Sequence, residues 1–284
     1  MRAMTEPAPQ SPAMLSVSIV LHHSDLTLLR TLLDSLGGAI DVARAAGDID
    51  GSSVTLVDNS CDGDYHRQLQ AVVETAAMTS DVQVLANGSN PGFGASHNRA
   101  LKAASSDYHL VLNPDVVLDQ GALSAGIRGL NADPQVQLVS PYVESPEGQQ
   151  EFLCKRYPSV WVLLLRAFAP AALKRQFDES LALYEYRDLC TQDQAVDVEL
   201  ASGCFMLVRT EALRTVGGFD EAFFLYFEDF DLSLRLARVG RLVYLPTMRI
   251  VHHGGYAASK GLRNIRLFVV GGVRFFNRHG WRWI

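Results

Sequence analysis

The chain is short of what several protein classes require. Its 4 cysteines, Cys61, Cys154, Cys190 and Cys204, are scattered and form no Cys-x-x-Cys pair. That excludes a zinc ribbon and a secreted disulfide scaffold, and a reducing cytoplasm suits them best. No apolar run approaches the roughly 20 residues a spanning helix needs. Residues 1–13 are rich in proline and small side chains, lack the apolar centre of a signal peptide, and read as a disordered tail. Basic excess is missing as well: 25 Lys and Arg against 31 Asp and Glu leave a formal charge of −6, which argues against nucleic acid as a partner. With 48% hydrophobic residues over 284 positions, the chain holds one large domain or two small ones.

What is present is alternation. A β-branched run from Leu15 to Leu21 precedes helical spacing at Leu28, Leu29, Leu32, Leu33 and Leu36, with Gly37-Gly38 as the expected stop. Strands are then expected over Ser53 to Val57, Val82 to Leu85 and Tyr108 to Leu112, separated by helices over Tyr65 to Met78 and Gly94 to Ala104. Continuous apolar strands alternating with helices predict an α/β fold whose central sheet is mainly parallel, with helices on both faces. Ligands of such sheets bind at the carboxyl ends of the strands. Those ends carry His22-His23-Ser24, Asp58-Asn59-Ser60, Asn87-Gly88 and Asn113-Pro114-Asp115, all polar.

Each of these groups has two readings. Asp58 can accept hydrogen bonds from a ribose or base, or an Asx-turn through Asp58, Asn59 or Asp62 can start the next helix. The turn Asn90-Pro91-Gly92-Phe93-Gly94 leads into a helix with Asn98 and Arg99, which suits an anionic group, yet glycine turns before helices are common. Asp115, two residues after Asn113, can hold a hard divalent cation whose other ligands are water and phosphate oxygens, or belong to an Asn-Pro turn.

Val196 to Gly255 concentrates the chemistry: the small-residue turn Ala201-Ser202-Gly203-Cys204, the acids Glu228, Asp229 and Asp231, and His252-His253-Gly254-Gly255. Each sits at the end of an apolar stretch, the layout of one pocket assembled from loops. Acids at a helix start cap it, but aromatic neighbours raise a carboxylate's pKa and make it a better base. Two histidines at a strand end suit a metal or phosphate contact. Gln150 to Ala195 is expected to supply a helical or mobile part that shapes the site. From Lys260 to Ile284 there are arginines and aromatics without one acid, which suits either the interface of an anionic membrane or a helix packed on the domain with its arginines solvated.

The succession Val54-Thr-Leu-Val-Asp-Asn59, Asn90-Pro-Gly-Phe-Gly94, Leu110-Val-Leu-Asn-Pro-Asp115, Ser202-Gly-Cys-Phe-Met-Leu207, Val216-Gly-Gly-Phe-Asp-Glu221, Phe223 to Asp229 and Val251-His-His-Gly254 resembles family 2 glycosyltransferases, more narrowly their bacterial rhamnosyltransferase-like branch. The resemblance runs from about Leu15 to Gly255. It implies a GT-A fold over 14–255, with a nucleotide-sugar half (14–118) before an acceptor half (119–255), and leaves 256–284 as a basic aromatic helical tail. It further implies an inverting transfer from a nucleotide-diphosphate sugar, most simply dTDP-rhamnose, assisted by Mg2+ or Mn2+, to a surface polysaccharide, lipopolysaccharide or lipid-linked glycan.

In that reading Asp58 matches the acid that contacts the base, and Asp115 the last acid of the Asp-x-Asp metal motif. Asp229 matches the general base, with Glu228 its neighbour, and His252 the histidine near the metal and diphosphate. His22, Asn90, Gly92, Asn98 and Asn113 complete the expected nucleotide-sugar contacts, and Ser202, Gly203 and Asp231 those to the acceptor. Two departures stand out: Asn113 where the wider pattern has aspartate, and His22-His23 in place of an aromatic-asparagine pair. A sugar nucleotidyltransferase is the competing enzyme reading, but the basic glycine-rich loop it needs is absent from Leu21-His-His-Ser-Asp25. A non-catalytic sugar-binding protein with a decayed site is the other, against which the retained acids speak.

Overall fold

The computed structural model describes residues 13–191, 193–254 and 261–284. The N-terminal tail up to residue 12, Gly255 and the start of the basic tail with Lys260 lie outside the described residues. The first half is β1 (Met14–Leu21), α1 (Leu26–Ala45), β2 (Gly51–Asp58), α2 (Gly63–Thr75), β3 (Asp81–Ala86), α3 (Phe93–Ala103) and β4 (Tyr108–Leu112). β1 pairs in parallel with β2 and β4, and β2 with β3. Along β1 side chains alternate across the sheet, so Leu15, Val17, Ile19 and Leu21 enter the main core while Ser16 and Ser18 face the other side and bond His109 and His97.

α1 does not stop at Gly37-Gly38. Leu29, Leu32, Leu33, Leu36, Ile40 and Ala43 keep one buried stripe to Ala45, and that burial outweighs the ~1 kcal/mol each helical glycine costs. Gly37 has a packing reason to be small, since a Cβ there would stand 2.7 Å from the Ala77 carbonyl oxygen.

The second half comprises β5 (Val116–Leu118), α4 (Ala122–Ala132), β6 (Val136–Glu144), β7 (Gln150–Glu151), α5 (Val160–Phe168), α6 (Ala171–Gln176), α7 (Asp178–Tyr184), β8 (Val196–Asp197), β9 (Phe205–Arg209), α8 (Thr210–Thr215), α9 (Glu228–Leu236), β10 (Arg241–His252) and α10 (Leu262–His279). The sheet runs β3-β2-β1-β4-β9-β6-β10-β5, with β7 beside β6 and β8 beside β10.

This half makes the sheet mixed: β9 is antiparallel to β4 and β6, and β5 to β10, while β6 and β10 are parallel. The reversals have a geometric result. An antiparallel β9 begins where β4 ends, and Asn113 donates its N–H to the Cys204 carbonyl at 2.9 Å. Likewise β10 ends where β5 begins, with His252 opposite Val116. The 202–204 turn, Asp115 and His252 thus arrive at one edge.

Helices cover both faces. Leu101, Leu213, Phe219, Leu232 and Leu236 pack with Val111, Met206 and Val208 in a second core. A third joins Leu163, Leu165, Tyr184, Phe223 and Phe227 to Phe275 and Phe276 of α10. The C-terminal helix is therefore packed on the domain, and Arg263, Arg266, Arg274 and Arg278 remain exposed. Gly271 and Gly272 allow the close approach, because a Cβ at Gly271 would stand 2.9 Å from the Tyr226 carbonyl oxygen.

Candidate active site

The edge where β5, entered directly from β4, pairs with the end of β10 brings Asp115 to His252. Nε2 of His252 lies 3.6 Å from Asp115 Oδ1, and its Nδ1 lies 2.8 Å from Glu151 Oε2 on β7. A histidine that gives its Nδ1 proton to Glu151 points the Nε2 lone pair at Asp115. The facing Oδ1 is buried and has no hydrogen-bond partner among the described residues. Two acceptors left facing one another, one of them buried and unmet, fit a divalent cation between them. Among the described residues no group of three or more His, Cys, Asp or Glu side chains is placed to hold a metal ion, so water and phosphate oxygens would have to supply the rest of the shell. Glu151 carries no sequence signal, because it sits on a two-residue strand after a turn.

Beside this pair lies a cleft of about 350 Å³ lined by His22, Asn59, Asn90, Gly92, Asn113 and Asp115, with Phe93, Phe224 and Arg263 closing it. A second cavity of about 500 Å³, lined by His22, His23, Ser24, Asp25 and Asp115, adjoins it. Five of the expected nucleotide-sugar residues, His22, Asn90, Gly92, Asn113 and Asp115, therefore converge. Gly92 stands at φ 101°, and a Cβ there would lie 2.3 Å from the Phe224 carbonyl oxygen, so only glycine lets the turn close on that loop. Arg263 adds a cation from the C-terminal helix, a contribution that its distance in sequence hid.

Asp58 and Asn98 are placed otherwise. Asp58 is 3% exposed; Oδ1 accepts from the Ser60 N–H at 2.8 Å and Oδ2 meets His66 Nδ1 at 2.9 Å, the Asx-turn alternative. Burial alone would raise its pKa, but the Ser60 and His66 hydrogen bonds carry the net shift downward. Asn98 is buried and spent on structure: Nδ2 donates to the Phe219 carbonyl and to Glu221, and Oδ1 accepts from the Phe219 N–H at 2.8 Å. It pins the Gly217-Gly218 turn, whose glycines stand at φ 80° and 68°, and both Nδ2 protons are taken up there.

On the other side of the 202–204 turn a cleft of about 220 Å³ is lined by Ser202, Glu228 and Asp229, by Lys155, Arg166 and Tyr184, and by an aromatic wall including Tyr226, Phe227, Phe230 and Phe268. The helices of the expected acceptor-shaping segment thus reach it. Asp229 is held rigidly: Gly203 N–H donates to Oδ2 at 3.0 Å and Phe230 N–H to Oδ1 at 2.9 Å. Gly203 therefore orients the acid, and its amide is not free for an acceptor. Burial raises the Asp229 pKa against the pull of these amides. Burial and the neighbouring Asp229 charge push Glu228 well above the usual carboxylate range, and its buried Oε2 has no hydrogen-bond partner among the described residues. Tyr226 and Phe227, at φ 72° and 68°, are two consecutive non-glycine residues in the left-handed region. Such strain gathers where surrounding structure fixes a functional geometry.

Asp231 does not belong to this cleft. It is 0% exposed and bonds Arg235 at 2.8 Å, His279 at 2.8 Å and Arg278 at 3.2 Å. In helix α9 it points about 200° away from Asp229 around the axis, which turns it to the C-terminal helix and corrects its expected acceptor role.

The sequence model of "Glycosyltransferase like family 2" matches residues 12–263. The chain belongs to this glycosyltransferase family. Its mixed sheet has the GT-A fold: a structure of GalNAc-T7 with UDP, GalNAc and Mn2+ superposes at a TM-score of 0.66 and 14% identity over 95% of this chain and 48% of that one. The mannosyltransferase PcManGT of Pyrobaculum calidifontis with GDP-Man and Mn2+ gives 0.62 and 18% over 98% and 68%. The chain thus spans about half of the first and two thirds of the second. In sequence the glycosyltransferase is 29% identical over 221 residues, 73% of its length and 68% of the relative's, to the N-acetylglucosaminyl-diphospho-decaprenol L-rhamnosyltransferase of Mycobacterium tuberculosis.

Proposed function

We propose that this glycosyltransferase moves L-rhamnose from dTDP-rhamnose, with inversion, onto a hydroxyl of a lipid-linked glycan acceptor used for surface polysaccharide or lipopolysaccharide. The observation that carries the reading is the pair of clefts on either side of the 202–204 turn, one with Asp115 at its wall and His252 3.6 Å behind it, the other with Asp229. Rhamnose and the lipid-diphosphate acceptor are supported by the name of the mycobacterial relative.

In this reading the donor lies in the cleft of His22, Asn90, Gly92 and Asn113. Asp115 and His252 would hold Mg2+ or Mn2+, the latter ion being present in both superposed structures. Such a cation, when bound, offsets the negative charge of a departing diphosphate. Asp229 accepts the acceptor hydroxyl proton as the oxygen attacks the anomeric carbon and the bond to the diphosphate breaks. Its raised pKa makes it a stronger base than an exposed carboxylate, and the Gly203 and Phe230 amides fix where its oxygens point. One displacement on the face opposite the leaving group inverts the centre, with no covalent sugar intermediate.

Membrane contact belongs to the same proposal. Among the described residues no helix is long and apolar enough to cross a bilayer. Exposed Val269, Val270 and Val273 of α10 lie among its exposed arginines, which suits peripheral contact with an anionic cytoplasmic face.

The test is thermal shift and calorimetry with dTDP-rhamnose, UDP-glucose, UDP-N-acetylglucosamine and GDP-mannose, each with and without Mn2+. Metal-dependent stabilisation by dTDP-rhamnose alone is expected. A larger response to another sugar nucleotide overturns the donor assignment.

A further inference from the structure

The 220 Å³ cleft at Asp229 contains a feature that base catalysis does not use. Lys155 lines it at only 6% exposure. Its ammonium donates to the Phe152 carbonyl and meets no carboxylate of the described residues within the 4.0 Å of an ion pair. Burying a cation without a counter-charge is costly. Burial, with the Arg166 charge adding to it and the more distant Glu185 opposing, brings the ammonium down to about 8.

Three further observations point the same way. Arg166 of α5 lines the same cleft, and among the described residues its one carboxylate partner, Glu185, lies 3.3 Å from its Nε. The Tyr184 hydroxyl, also in that wall, is buried without a hydrogen-bond partner among the described residues, and the Lys155 ammonium stands 5.9 Å from its ring. The Lys155 backbone is pinned to Leu200 by a pair of hydrogen bonds at 2.9 and 3.1 Å, two residues before Ser202. The cationic wall is thus fixed relative to the turn that orients Asp229.

We infer that Lys155, Arg166 and Tyr184 form an anion site that receives the phosphate or diphosphate of the acceptor, seated while its sugar hydroxyl faces Asp229 and its apolar parts lie on the aromatic wall. The inference rests on the transferase reading above and adds the residues that select the acceptor. The charges give the two clefts different roles, because the donor's diphosphate belongs beside Asp115 and His252 and the acceptor's beside Lys155. An anion between Lys155 and Arg166 supplies the buried ammonium with the direct ion-pair partner it lacks among the described residues, and gives the Tyr184 hydroxyl an acceptor.

The experiment compares two acceptors with the same sugar and alkyl chain, one joined through a diphosphate and the other as a simple glycoside, with donor hydrolysis in the absence of acceptor measured on the same preparations. Wild type is expected to favour the diphosphate acceptor in kcat/KM by tenfold or more. Lys155→Met and Arg166→Ala are expected to reduce that preference about tenfold, the loss of ~1.4 kcal/mol of discrimination, while Lys155→Arg retains it. Arg166 is half-exposed, so its replacement reads the site even where Lys155→Met folds poorly. Equal use of both acceptors by wild type, or a preference untouched in both charge-removing variants, overturns the anion site while donor hydrolysis leaves the transferase reading standing. Wild type that neither hydrolyses nor transfers from any sugar nucleotide overturns both.

Discussion

Nε2 of His279, on the last turn of α10, lies 2.8 Å from Oδ1 of Asp231 in α9. The helix that starts with the candidate base is thereby tied to the C-terminal end of the chain. The tie is ionic as well as aromatic: Arg235 and Arg278 share the same buried carboxylate, and Phe275 packs on Phe227 with ring centroids 5.5 Å apart. Removing one partner of a buried ionic group costs more than the group contributes, because the remaining charges stay desolvated. Asp231→Ala is expected to lower the unfolding free energy by ~3–5 kcal/mol, read by denaturant titration. His279→Ala is expected to cost less, since both arginines remain. An Asp231→Ala protein as stable as wild type would show that the cluster does not hold the helix.

Asp229→Asn keeps the side chain's size and its contact with Gly203 but cannot take a proton. Transfer is expected to fall by ~10²–10⁴-fold, with calorimetric binding of the nucleotide sugar retained. Because burial raises the Asp229 pKa, the acidic limb of the wild-type kcat/KM profile is expected above the ordinary carboxylate pKa of ~3.9. Activity within a few-fold of wild type in Asp229→Asn would remove it from the base role.

How much of this was legible in the sequence depends on how far a feature's cause reached along the chain. The alternating first half is local, since periodicity and strand-end polarity come from neighbouring residues, and β1 to β4 stand where that pattern puts them. The helix stop at Gly37-Gly38 failed because a buried stripe on both sides outweighed two glycines. The antiparallel entry of β9 had no local mark; it follows from pairing between β4 and β6. Among the site residues, Asp115 and Asp229 are carried by short motifs, but the motif containing Asp231 does not say which way each acid points. Its partner His279 lies 48 positions later, and Asn98 is likewise claimed by Phe219 across 121 positions. Glu151, Lys155 and Arg263 reach the clefts only through tertiary packing.

Glu151 is the residue through which His252 is oriented, so it can be tested without touching the expected ligands. Glu151→Gln accepts the Nδ1 proton through its amide oxygen but loses the charge. Outer partners of this kind are worth ~10–100-fold in metal affinity, and the Mn2+ dependence of donor-induced stabilisation is expected to shift to higher concentration by that range. Asp115→Asn is expected to abolish the metal-dependent part altogether. An unchanged Mn2+ titration in both variants would place the cation elsewhere.

Ser18 Oγ sits between two buried histidines, 2.7 Å from His97 Nδ1 and 2.8 Å from His109 Nε2, and Ser16 Oγ lies 2.7 Å from His109 Nδ1. Burial, with the Arg214 charge adding to it, brings His109 down to about 4 from an ordinary 6.5, and burial with the His109 charge holds His97 well below that ordinary value. The sign follows from proton counting. Between pH 6.5 and 4 the unfolded chain binds protons at these positions and the folded chain does not, so stability rises with pH across that window and is lost as pH falls through it. Asp58 and Asp220, held below 3.8, act in the same sense but at lower pH, whereas Glu228 and Asp229, raised by burial, oppose it. The difference between wild type and His109→Gln isolates the histidine. The variant should lose less stability on going from pH 7 to pH 4.5, with a gap of ~2–3 kcal/mol for a shift of this size, measured as unfolding free energies by urea titration at each pH. Parallel pH profiles for the two proteins would mean that His109 takes up its proton without opening the sheet face it lies on.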